Sequence, residues 1–140
     1  MKLTPGKKAQ RTAKWARIMT KWLVTYSRHM GAKWNLVDFC GKAKAEFRGT
    51  VDLLAIRKDN SKPSVAGLKR GDLFEIILIQ SKGGSSPRPT AQDIARLHKV
   101  AKHYKAKTID LAEWRRREML DLFVLKGTRW SPTHPREVFG

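Results

Sequence analysis

Apolar positions divide the chain into segments of different period. Trp15, Ile18, Met19, Trp22, Leu23, Tyr26 and Met30 recur at three- and four-residue steps, the spacing that puts one face of a helix against a core. This predicts a helix from about Lys7 to Met30, stopped at Gly31, with Lys14, Arg17, Lys21 and Arg28 on its other side. From Trp34 to Phe47 the pattern is irregular but strand-like. Val51 to Ile56 is a strand-length, mostly apolar run, expected to be buried on both faces and to pair with the segment before it.

Arg57 to Asp72 contains Asn60, Pro63, Gly67 and Gly71 and is expected to form a long exposed loop between strands. Leu73 to Gln80 is the most hydrophobic segment and belongs at the centre of a sheet. Gly83 to Pro89 breaks the chain, after which Thr90 and Asp93 are spaced as an N-terminal capping box,. Ile94, Leu97, Ala101 and Tyr104 then form the inner stripe of a second helix, with Arg96, Lys99, Lys102 and Lys105 outside. Thr108 to Trp114 and Met119 to Leu125 flank Arg115-Arg116-Arg117-Glu118 and predict a hairpin with a basic tip. The tail from Trp130 to Gly140 is expected to lie across the core. Helix, strands, helix, strands in this order predict an α/β or α+β fold with a mixed sheet.

Length and composition fit one domain over residues 1–140, since 140 residues with 41% hydrophobic content suffice for one core,. Charge adds more. Thirty Lys and Arg against twelve Asp and Glu give a formal charge of +18, and no acidic residue precedes Asp38. Such an excess repels itself in a compact state and points to a polyanionic partner, with nucleic acid foremost. The single Cys40 excludes an intrachain disulfide, and the four histidines lack zinc-ligand spacing,. A reducing, cytoplasmic setting is expected, nucleoid-associated in a prokaryote. Ile76 to Ile79 is far too short for a membrane span,, so no membrane partner is expected.

The candidate chemistry sits at two strand ends. Arg48-Gly49-Thr50-Val51-Asp52 leads into one apolar run, and Gln80-Ser81-Lys82 closes the next. Asp52 offers a hard carboxylate ligand, Gln80 a side-chain carbonyl, Ser81 a peptide carbonyl, and Lys82 a cation to steady developing phosphoryl charge. Strand alternation puts Gln80 and Lys82 on one face and Ser81 on the other. A turn cap at Asp52 and an ordinary exposed Lys82 are the plainer alternatives. Gln80 is harder to dismiss, because burying its amide without partners costs roughly 1–3 kcal/mol.

With these residues in order, the chain resembles the PD-(D/E)XK nuclease superfamily, in particular Mrr-type restriction endonucleases and archaeal Holliday-junction resolvases. The resemblance spans roughly Arg48 to Tyr104. It implies a restriction-endonuclease-like mixed sheet flanked by helices, Mg2+ or Mn2+ as cofactor, and hydrolysis of DNA phosphodiesters. Asp52 matches the family's acid, Gln80 its acid-or-glutamine position and Lys82 its lysine. The chain departs from the common pattern at Gln80, where most relatives carry Glu, and in the absence of a glutamate on the first helix. Glu46, Asp72 and Glu75 are the substitutes for a third acid, and His98 and His103 are weaker candidates on the second helix. Arg48, Lys69, Arg70, Lys14, Arg17, Lys21, Arg28, Arg96 and Lys99 are candidate phosphate contacts. Trp34 and Trp114, beside basic residues, are expected to be core more than base-stacking platforms. A symmetric homodimer is compatible with the resolvase likeness. The alternatives are a non-catalytic basic nucleic-acid-binding module and a structural RNA-binding protein.

Overall fold

The computed structural model describes residues 18–22, 25, 33–39, 50–83, 87–115 and 119–140. Six strands, β1 (Asn35–Asp38), β2 (Leu53–Asp59), β3 (Leu73–Gly83), β4 (Thr108–Arg115), β5 (Met119–Lys126) and β6 (Arg129–Thr133), form one sheet in chain order. Helix α1 (Ala91–Tyr104) lies between β3 and β4, and α2 (Pro135–Phe139) follows β6. Residues 18–22 and 25 are also helical. The rest of the expected first helix, and residues 40–49 of the strand-like segment, fall outside the described residues.

All neighbouring strands are antiparallel except β3 and β4, which are parallel. The fold is thus a mixed α+β sheet with helices. The parallel pair follows from connectivity: the chain leaves β3, runs through α1 and returns in the same direction, as a helical crossover requires. The β3 segment is the most apolar because its middle is covered on both sides. Ile77 and Ile79 pack with Trp34, Leu53, Ala112, Val138 and Phe139. Leu78 packs on the other face with Ile94, Leu97, Ile109 and Leu125.

Two short interactions fix the chain ends of the first core. The Trp34 indole donates to the Phe139 carbonyl at 2.8 Å, and the two rings meet edge to face. Trp34 is therefore core, as expected, with the Arg57 guanidinium 4.2 Å over its ring. On α1 the capping box is complete: Thr90 Oγ1 accepts from Asp93 N–H and Asp93 Oδ2 accepts from Thr90 N–H. The helix closes at Lys105, which adopts the left-handed conformation and donates to Ala101 and Lys102 carbonyls.

Four expectations are corrected. β2 runs beyond Ile56 to Asp59, because Arg57 and Lys58 continue the ladder opposite Glu75 and Phe74, and the loop is correspondingly shorter. Tyr104 is not in the buried stripe of α1 but 61% exposed, since the last turn of the helix overhangs the sheet. Within residues 18–22, Trp22 is exposed and Thr20 fully buried, so here Thr20 and not Trp22 faces the core. The tail does more than cross the core: it supplies an edge strand and a helix. The turn at Gly127-Thr128, with Gly127 at φ +64°, pairs β5 with β6 and was the overlooked signal.

Candidate functional site

β2 and β3 bring together residues thirty positions apart. The ladder pairs Leu53 with Ile79, yet Asp52 N–H also donates to the Ile79 carbonyl at 3.1 Å. Two consecutive residues of one strand thus oppose one of the other, which is the geometry of a β-bulge. Past this irregularity Val51 packs beside Leu54 on the α1 side, although strict alternation would send it with Leu53. The bulge re-aims the Asp52 carboxylate along the end of β3, where Oδ2 accepts from the Ser81 backbone N–H at 2.9 Å.

Gln80 and Lys82 share the α1 side of the sheet with Leu78, as alternation requires. The Gln80 amide donates to the Thr50 carbonyl and to Thr50 Oγ1, the latter at 3.3 Å. The half-buried amide thus has the partner its burial demands. Lys82 is only 10% exposed, and its Nζ stands 3.9 Å from Glu113 Oε2. Glu113 is its register partner on parallel β4, and it also accepts from Arg88 Nε at 3.2 Å. Arg88 in turn lies 4.6 Å over the Phe123 ring. Asp121, paired with Glu113 in the β4–β5 ladder, completes a charged cluster at this end of the sheet.

The other candidate acids do not join it. Glu75 forms an ion pair with Arg57 Nε at 2.7 Å, about 17 Å along β3 from Gln80 at the usual strand rise. Asp72 accepts from Lys69 N–H in the β2–β3 loop. Glu46 lies outside the described residues. Glu113, absent from the candidates of the sequence, is the acid paired with Lys82; β4 also carries Asp110, so its charge gave no distinct local signal.

Lys69 and Arg70 are exposed in the same loop, between the two strands that carry the motif, at the end about 30 Å from Lys82 along β3. Lys21 is held by Asp38 at 2.6 Å. Arg96 and Lys99 are exposed on α1, with Arg96 3.9 Å from Asp93. Arg48, Lys14, Arg17 and Arg28 lie outside the described residues. His98 donates to the Gly127 carbonyl at 2.6 Å, at the β5–β6 turn and away from Lys82. His103 packs edge-on against Tyr104.

One titrating group stands apart. Asp110 is fully buried on the opposite side of the sheet from Lys82, and burial pushes its carboxyl up to about 7 against a lowering hydrogen bond from Thr108. Among the described residues its Oδ1 has no hydrogen-bond partner, which suits a protonated carboxyl. Its position argues for a structural role.

A carboxylate and an amide carbonyl are hard oxygen donors that suit Mg2+ or Mn2+. Among the described residues no group of three or more His, Cys, Asp or Glu is placed to hold a metal. Asp52 and Gln80 supply the donor types used by an ion that keeps most of its shell for water and substrate phosphate, as Mg2+ commonly does. Among the described residues no helix is long and apolar enough to cross a membrane. Comparison with family models, curated proteins and solved structures finds no match.

Proposed function

We propose that the protein is a metal-dependent endonuclease of the PD-(D/E)XK kind that hydrolyses DNA phosphodiesters. The observation that carries this reading is the junction of the two motif halves: Asp52 bonded to the backbone of Ser81, with Gln80 and Lys82 on either side. The mixed sheet supports it, with three antiparallel strands, a helix and a fourth strand parallel to the third, since the resemblance implies a mixed sheet flanked by helices. The +18 charge supplies affinity for the polyanion,.

In this mechanism Asp52 and Gln80 would hold Mg2+ or Mn2+, which when bound polarises a phosphoryl oxygen and makes a bound water more acidic. Thr50 fixes the Gln80 amide by accepting from its nitrogen, so the amide oxygen is the atom turned to a cation. Lys82 places a positive charge where the phosphorane charge develops, and Glu113 keeps its ammonium from swinging into solvent. Arg88 and the exposed cations of α1, Arg96 and Lys99, offer phosphate contacts that position the strand without reading sequence.

The test is cleavage of labelled linear, branched and supercoiled DNA with Mn2+, Mg2+ or chelator. Wild type is expected to cut only with metal, and Lys82→Ala to lose roughly 10²–10³-fold in rate while binding stays nearly unchanged. Equal loss of binding and cutting would contradict the assigned role. Glu113 beside Lys82 favours a second reading, a binding module without turnover. No cutting with either metal, alongside tight binding that weakens by a log–log slope of roughly −0.9 per phosphate, would establish it.

A further inference from the structure

Next to the candidate site is an apolar groove that nothing in the proposed chemistry uses. It has a volume of about 740 Å³, within the usual range for ligand clefts. Leu54 and Ile56 of β2 and Ile76 and Leu78 of β3 form its floor, and Val100 and Tyr104 of α1 its wall. Phe39 and Thr50 close one end. Its two aromatic walls are open to solvent, Phe39 46% and Tyr104 61% exposed, and Phe74, beyond the lining but two residues from Ile76 on the same side of β3, is 62% exposed.

Charge and continuity say what fits it. Lys58 stands opposite Phe74 in the ladder, and Arg96 lies one helical turn before Val100. The occupant therefore carries apolar, flat surfaces and negative charge together. A second copy of a +18 chain would bring like charge to a like-charged rim,. Thr50 both lines the groove and accepts from Gln80, so whatever fills it continues into the Asp52–Lys82 centre.

Resting on the nucleic-acid reading above, we propose that the groove takes unstacked bases of a single-stranded stretch adjoining the phosphodiester at the site. Aromatic and aliphatic side chains together accept either face of a base, while Lys58 and Arg96 face the phosphates. Bases of an intact duplex are stacked and cannot enter, so the substrate is DNA with unpaired nucleotides beside the cut, as in a tail, flap or branch.

The experiment measures binding in chelator, where no cutting intervenes, to a blunt duplex and to the same duplex bearing a single-stranded tail with 2-aminopurine. Wild type is expected to prefer the tailed form by about tenfold, in the range of one stacked base, with a change in 2-aminopurine fluorescence. Tyr104→Ala and Phe74→Ala should remove most of that preference, and Tyr104→Phe should keep it; both sites are at the surface. Equal affinity for both duplexes, or a tail preference untouched by Tyr104→Ala and Phe74→Ala, overturns the proposal and leaves the groove as a docking surface for an acidic protein segment. A Tyr104-dependent preference in a protein that cuts nothing sustains the groove and removes the nuclease. Metal-dependent cutting without tail preference does the reverse.

Discussion

The Ser81 backbone N–H donates to Asp52 Oδ2 across 29 residues of sequence. The bond ties the mouth of β2 to the end of β3 and holds a carboxylate against the backbone between Gln80 and Lys82. It depends on the bulge at Asp52, where the β2–β3 ladder departs from strict register. Function and stability are therefore coupled at this point, and the variants below separate them.

Gln80→Glu restores the acid common in the resembled family but removes the amide that donates to Thr50. An ionised carboxylate against that carbonyl is expected to destabilise the metal-free protein by about 1–3 kcal/mol. The added charge should strengthen divalent-ion binding. Thermal melts are expected to show a lower Tm in chelator and a larger Mn2+-induced rise than wild type. A variant with unchanged Tm and no metal response would contradict the arrangement.

Glu113 engages both Lys82 and Arg88. Glu113→Gln frees these cations for phosphate and removes a repulsive charge, worth about 1 kcal/mol at 4 Å in water, or roughly fivefold tighter DNA binding. Titration at low salt checks this. If Lys82 needs Glu113 for its placement, the same variant cuts more slowly while binding more tightly, and the opposite signs of the two effects separate placement from simple charge removal.

Asp110 gives a pH signature independent of the site. Its carboxyl titrates near 7 in the folded protein and about 3.9 when unfolded,, so the native state binds the proton more tightly. Its contribution is fully present below about pH 4 and is lost as pH rises towards 7, at no more than about 1.4 kcal/mol per pH unit. Asp110→Asn should flatten stability across that window and raise Tm at pH 8. Asp93, held low by the Thr90 N–H and hydroxyl, acts in the opposite direction, losing stability below its usual range, and does not obscure the window between.

Thr90→Ala removes one half of the α1 capping box and is expected to cost about 1 kcal/mol. Asp93→Ala alone should cost a similar amount, and the double variant less than the sum, because the two bonds are reciprocal,. Additive losses in chemical denaturation would argue against a shared cap.

Much of the architecture was legible in local pattern. The capping box at Thr90 and Asp93, the apolar β3 and the hairpin around Arg115 to Glu118 each depend on residues close in sequence, and their period or turn chemistry is visible there. β6 was missed because Arg129 to Thr133 contains Pro132 and is too short to show a period. At an edge beside β5 alone, a proline is tolerated on the side that makes no ladder bonds.

The site divides in the same way. The sequence by itself determined which residues carry usable chemistry, Asp52, Gln80 and Lys82, and that alternation would put the last two on one side of a strand. Only the tertiary structure decided that Glu113 stands beside Lys82, that Glu75 and Asp72 lie remote from it, and that Asp52 turns at a bulge to meet Ser81. Alternation and capping act over a few residues of backbone. Which strand becomes the neighbour, and in what register, is set by burying the two faces of β3 at once, and that is a property of the whole sheet.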